Sequence, residues 1–214
     1  GPWSDTICIK AVEGWEDPCP FWDDNGNAYL VRGRLGAGPL ILHRMTPDGL
    51  RLLDDGQEIY YGRVAEGPKM FKRNGWYYIS LPENTVGFGC QSLIRSRTIY
   101  GPYERKVVLP DYNPHQGGMV DLDNGEGWFI GFKYMEHLGR VCHLIPYRWR
   151  DNDWPEFGHN GISVMAWEKP NVGITCPVSR PEVNDEFDSP ALRPIWQWNH
   201  NPVAGKWSLT ARPG

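Results

Sequence analysis

Three stretches of this chain follow one another at a fixed interval. DPCPFWDDNGNAYLV opens at Asp17, EGPKMFKRNGWYYIS at Glu66 and HQGGMVDLDNGEGWFIGF at His115, so the openings lie 49 residues apart each time. Each stretch carries an Asn-Gly pair: Asn25-Gly26, Asn74-Gly75 and Asn124-Gly125. An aromatic run restarts after each pair, at Tyr29, Trp76-Tyr77-Tyr78 and Trp128-Phe129. Asn-Gly between two apolar runs is the strongest short hairpin signal, because both residues accept positive φ. Each repeat therefore opens strand, tight turn, strand. A third strand follows in LILHRM (40–45), QSLIRS (91–96) and RVCHLIPYRW (140–149). A fourth is expected at GPYERKVVL (101–109), with GPWSDTICI at the start of the chain as its counterpart. Four antiparallel strands every roughly 40–50 residues is the spacing of β-propeller blades. A meandering sandwich is the competing arrangement, and position-matched turns argue against it.

In a propeller the innermost strand of each blade lines the central channel. The residues that open those strands here, Asp17, Glu66 and His115, are all polar. Equivalent positions of successive blades converge in space although they are far apart in sequence. Only three inner strands are present, and a ring needs at least about four blades. The chain thus reads as a partial ring cut at its N-terminus, starting on the outer strand of a further blade. Open blade edges invite self-association or a partner chain.

The composition fits this all-β reading. The 214 residues are 40% hydrophobic and 13% aromatic, enough to bury a core, and 25 Gly and 19 Pro supply turns. A formal net charge of −4 argues against nucleic acid as a partner. No apolar run reaches the length that spans a membrane. The five cysteines (8, 19, 90, 142, 176) are odd in number and contain no C-x-x-C pair. They read as free thiols rather than a zinc site or disulfide framework, which leans toward the cytoplasm.

Two acids and a histidine around one concave mouth suit glycoside hydrolysis. A glycosidic oxygen is a poor leaving group, so a protonated carboxyl has to donate to it, and a second carboxylate activates water or attacks carbon. Glu66 would need a raised pKa, and the charge of Asp17 would help keep it protonated. Taken singly, each acid also reads as a turn residue before proline.

At these residues the chain resembles glycoside hydrolase family 43, the five-bladed β-propeller β-xylosidases and α-L-arabinofuranosidases. WEDPCPFWDDNGNAYLV looks like the family's Asp-Pro blade segment, and EGPKMFKRNGWYYIS like its general-acid segment. PHQGGMVDLDNGEGWFIGF resembles the blade with the axial histidine, and LGRVCHLIPYRWRDNDWPEFG the last blade. The likeness covers about residues 1–173, with four segments in the family's order. It implies that Glu66 is the general acid and that Asp17 tunes its pKa and orients it. It implies that Arg140 lies near the sugar and that His115 stands at the channel axis, bound to substrate or, through water, to a central ion. No cofactor is required on this reading, and the implied ion is a structural calcium. An arginine is apt at Arg140, since its five donors fork onto hydroxyls or a carboxylate; an ordinary ion pair is the plainer reading. His115 also reads as a satisfied core histidine, and His143 as packing or surface.

One departure stands out. The family's general base lies on the first blade, and no residue here matches it, so the chain alone is expected to hydrolyse little or nothing. After Asn171 the pattern changes. Residues 174–190 read as a linker, and 191–214, with Trp196, Trp198 and Trp207, as the beginning of a C-terminal β-sandwich in which Trp196 and Trp198 pack the core. Roughly 40 residues are too few to close such a sandwich. Two rivals to the enzyme remain: a non-catalytic, carbohydrate-binding propeller, and a fragment whose ring another chain completes.

Overall fold

The computed structural model describes residues 4–85, 87–164, 166–175 and 184–211. They fall into two compact units, Gly1–Val172 and Gly173–Gly214. The strands of the first unit are β1 (Trp15–Trp22), β2 (Ala28–Arg34), β3 (Leu40–Met45), β4 (Gln57–Tyr60), β5 (Lys69–Arg73), β6 (Trp76–Glu83), β7 (Cys90–Ser96), β8 (Glu104–Leu109), β9 (His115–Asp121), β10 (Gly127–Tyr134), β11 (Arg140–Trp149) and β12 (Pro155–Phe157). They pair antiparallel in chain order into three four-stranded sheets, β1 to β4, β5 to β8 and β9 to β12. These are three propeller blades. No helix among the described residues is long and apolar enough to cross a membrane.

The repeat reading missed the outer strand of the first blade. That strand is β4, only four residues long and half-exposed, so it carries no clear period-2 signal. The expected N-terminal strand does not form: residues 4–9 are irregular, and 1–3 lie outside the described residues. Ile9 instead packs on a small apolar patch of Ala28, Leu30 and Met45.

The three Asn-Gly turns are not alike. Asn74 (φ 50°) and Gly75 (φ 72°) make a two-residue turn in which both central residues are left-handed. The other two loops are longer. Gly26 N–H donates to Asp23 O and Gly125 N–H to Leu122 O, and in each the Asn side chain accepts the backbone N–H two residues on.

Alternation along the middle blade fills both interblade spaces. Ile79, Leu81 and Ile94 face the first blade and pack with Phe21, Tyr29, Val31, Leu40 and Leu42. Tyr78 and Leu93 face the third and pack with Phe129, Ile145, Tyr147 and Phe157. This explains why β6 and β7 are buried along nearly their whole length: each is covered on two sides.

Polar clasps close the interblade spaces near the Asn-Gly turns. Lys72 Nζ donates to buried Asp23 Oδ1 at 2.5 Å and Tyr77 Oη to Asp23 Oδ2 at 2.7 Å. Burial alone would push the Asp23 carboxyl up; the bonds from Lys72, Tyr77 and the Asp24 N–H outweigh it, and the net shift is downward. Asp153 does the same work for the third blade, accepting from Asn74 Nδ2 at 2.8 Å and Trp76 Nε1 at 3.2 Å.

The second unit forms no strand among residues 184–211. Trp196 and Trp198 are each 46% exposed rather than buried in a sandwich core. Without partner strands an alternating tryptophan segment has nothing to pack into. Local pairs form instead: Phe187 on Trp196 at 5.4 Å and Trp198 on Trp207 at 5.0 Å. Cys8, Cys19, Cys90 and Cys142 are free thiols, while Cys176 and part of the expected linker (176–183) lie outside the described residues.

Adjacent glycines in β9 make opposite demands. A Cβ on Gly117 would sit 1.6 Å from the Ile130 carbonyl oxygen, whereas Gly118 has nothing within 4 Å. Gly117→Ala should therefore destabilise the fold by about 3 kcal/mol or more, since backbone on the opposing strand has to move. Gly118→Ala should be near neutral. Urea denaturation of the two variants side by side checks this.

Candidate active site

The chain enters each inner strand through one left-handed residue: Asp17 (φ 53°), Gly67 (φ 50°) and Gln116 (φ 52°). In the first and third blades this residue lies in a register shift, between Glu16 and Cys19 and opposite the shift between Ile130 and Phe132. Such a bulge breaks strand alternation and re-aims the neighbouring side chain. It also corrects the sequence register. The backbone equivalent of Glu66 and His115 is Glu16, and Asp17 matches Gly67 and Gln116. The first interval is thus 50 residues, and a longer first hairpin hides the extra residue. The shared Glu-x-Pro of Glu16-Asp17-Pro18 and Glu66-Gly67-Pro68 was the available signal for Glu16.

In the second and third blades the N–H of this left-handed residue is taken by a side chain from the preceding blade. Gly67 N–H donates to Asp17 Oδ2 at 2.9 Å, and Gln116 N–H to Gln91 Oε1 at 2.8 Å. Gln91 is fully buried and in turn donates to Ser80 Oγ at 2.8 Å. Thus Asp17 is fixed directly against the residue that follows Glu66.

Glu66 is half-buried, and its N–H donates to Pro82 O at 3.4 Å. Its carboxyl has no hydrogen-bond partner among the described residues. Burial pushes its pKa up, the charges of Asp17 and then Glu16 push it further, and Arg140 opposes them. Two of the four expected residues, Asp17 and Arg140, therefore act on Glu66 through space. Arg140 is exposed at the start of β11, its guanidinium 4.9 Å from the Phe132 ring centre.

His115 belongs to a separate neighbourhood. It is 2% exposed, its ring tilted at 5.4 Å from that of Phe132, with Nδ1 3.1 Å from Asn113 O. Its Nε2 is buried and has no hydrogen-bond partner among the described residues. That orphaned nitrogen fits a water that in turn holds an ion. A direct protein cage does not fit, because no group of three His, Cys, Asp or Glu among the described residues could hold a metal. His143, on β11, is partly buried with its pKa lowered, by burial first and then by Lys133.

Three propeller blades here bring together a carboxyl with raised pKa, a second carboxylate and an arginine, a set of groups suited to glycoside hydrolysis. The profile described as glycosyl hydrolases family 43 matches residues 1–155, and that of a β-xylosidase C-terminal concanavalin A-like domain matches 184–214. The chain belongs to glycosyl hydrolases family 43. A Xylanibacter ruminicola protein with a provisional β-xylosidase name is 49% identical over the whole chain, which covers 43% of that protein. A non-reducing end α-L-arabinofuranosidase of Bacteroides ovatus is 29% identical, with the whole chain covering 44% of it. The crystal structure of a xylan β-1,4-xylosidase from Bacillus halodurans superposes with a TM-score of 0.84 at 26% identity, over the whole chain and 46% of that protein. The solved neighbours are five-bladed propellers, and this chain spans less than half the length of the three relatives just named.

Because the folded chain binds the Glu66 proton more tightly than the unfolded chain does, ionising Glu66 opposes folding. That opposition is absent below pH 4.5, grows as pH rises toward the folded pKa, and is constant above it. Glu66→Gln should therefore raise the Tm near about pH 7 and leave it unchanged near about pH 4. Calorimetry at the two pH values tests the sign.

Proposed function

We propose that this chain carries the acid side of a glycosidase that removes non-reducing-end xylosyl or arabinofuranosyl units from xylo-oligosaccharides or arabinoxylan fragments. The observation that carries this reading is the Glu66 carboxyl, half-buried, without a hydrogen-bond partner among the described residues and close to the charges of Asp17 and Glu16. The names of the relatives, β-xylosidase and α-L-arabinofuranosidase, supply the substrate class.

In the proposed step Glu66 gives its proton to the glycosidic oxygen as the bond to the anomeric carbon breaks. The leaving sugar departs as a neutral alcohol. Water attacks the opposite face in a single inverting displacement and loses its proton to a carboxylate base. Asp17 has two roles: its charge keeps Glu66 protonated, and its bond to Gly67 N–H fixes the segment from which Glu66 projects. Arg140 donates to sugar hydroxyls and moderates the negative charge. His115 would hold a structural ion such as calcium through water at the channel axis. No residue of this chain is assigned as the base. We place the base outside residues 1–214, so the isolated chain is expected to be weak or inactive.

In the protein that carries this chain, Glu66→Gln should lower turnover of xylobiose-type substrates by about 10²–10⁴-fold and abolish the alkaline limb of the pH–rate profile. Intact turnover would overturn the assignment. Asp17→Asn removes a neighbouring negative charge, so the alkaline limb should move to lower pH. Steady-state kinetics across the pH range on unactivated and aryl glycosides read both effects.

A further inference from the structure

The Glu66-bearing loop, residues 61–66, runs between β4 and β5. It rests on the end of β6, where Glu83 is 2% exposed. A carboxylate this deep needs several donors. Arg105 donates Nε and Nη2 to Glu83 Oε2, both at 2.6 Å, and Ser92 Oγ donates to the same oxygen. The other oxygen faces the loop: Tyr60 Oη donates to Glu83 Oε1 at 3.2 Å. Burial, and then the Glu83 charge, push the Tyr60 phenol up to about 12, so it remains a donor.

The residues on either side of Glu83 hold the same loop by its backbone. Asn84 N–H donates to Arg63 O at 2.9 Å, and Pro82 O accepts from Glu66 N–H at 3.4 Å. Gly62 lies so close that an added Cβ would stand 2.5 Å from Glu83 Oε1. Ala65, fully buried in the apolar layer, anchors the same loop. The loop is thus seated on a fixed charge, a few residues before the acid it delivers.

We propose that Glu83 is a positioning residue for Glu66: its buried carboxylate, anchored by Arg105 and Ser92, holds the 61–66 loop through Tyr60 and the Gly62 contact. This rests on the reading of Glu66 as the proton donor. A carboxyl displaced by even an ångström loses its line to the glycosidic oxygen. The loss falls on substrates that need protonation, not on those with leaving groups that depart unaided.

The test uses two variants of the protein that carries this chain. Tyr60→Phe unties the loop and leaves the Arg105 and Ser92 bonds in place; Glu83→Gln removes the charge. In both, backbone amides of residues 62–66 should exchange with deuterium about tenfold faster. Turnover of xylobiose-type substrates should fall about tenfold with KM little changed, while aryl glycosides with good leaving groups are spared. Unchanged loop exchange in folded Tyr60→Phe overturns the proposal. So does a loss equal for every leaving group, which a merely structural role would give. Glu66→Gln is assayed alongside. If it shows no leaving-group dependence, the donor reading fails, and the exchange measurement alone then decides whether Glu83 holds the loop.

Discussion

A single backbone device sets up the rest of this molecule: a left-handed residue at the entry to each inner strand, with its N–H bonded to a side chain of the preceding blade in the second and third blades. The φ values of Asp17, Gly67 and Gln116 agree within a few degrees, although only one of the three is glycine. A non-glycine residue there is strained and persists only when its surroundings over-determine it. The surroundings are visible. Asp17 and Gln91 accept the Gly67 and Gln116 N–H groups. Remove the bulge and the side chains at the mouth return to the pleat, facing the interblade layers instead.

The two ends of the blades are built from different chemistry for different purposes. At the Asn-Gly end, carboxylates are saturated with donors: Asp23 takes Lys72 and Tyr77, and Asp153 takes Asn74 and Trp76. At the other end Glu66 is left without a donor and near other negative charge. The first environment lowers a carboxyl pKa and makes a clasp; the second raises it and makes an acid. Glu83 lies deeper than Glu66, and its oxygens are taken by Arg105, Ser92 and Tyr60.

The blade count and hairpin positions were legible because Asn-Gly and the aromatic runs are local signals. Strand β4 was not, since four half-exposed residues on a blade edge carry no period. The one-residue offset between Asp17 and Glu66 was hidden because the longer first hairpin compensates for it, and only backbone dihedrals separate a bulge residue from its neighbour. The acid at Glu66 was legible as a candidate; its support by Glu83 was not. Tyr60, Glu83, Ser92 and Arg105 come from four strands, and their meeting is a property of packing rather than of spacing. The alternation of Trp196 and Trp198 suggested a strand where none forms, because a period-2 pattern describes a face and cannot supply the sheet that would cover it.

Asp17 ties two quantities together that are usually independent. One oxygen of its carboxylate secures the neighbouring blade's backbone, and the charge of the same group raises the Glu66 pKa. The seam between two blades and the proton affinity of the acid therefore share one atom group. Slippage at the seam would also change the acidity of Glu66. The titration midpoint of a single carboxyl then serves as a gauge of how well two blades are in register, and any retuning of acidity at this position alters the joint as well.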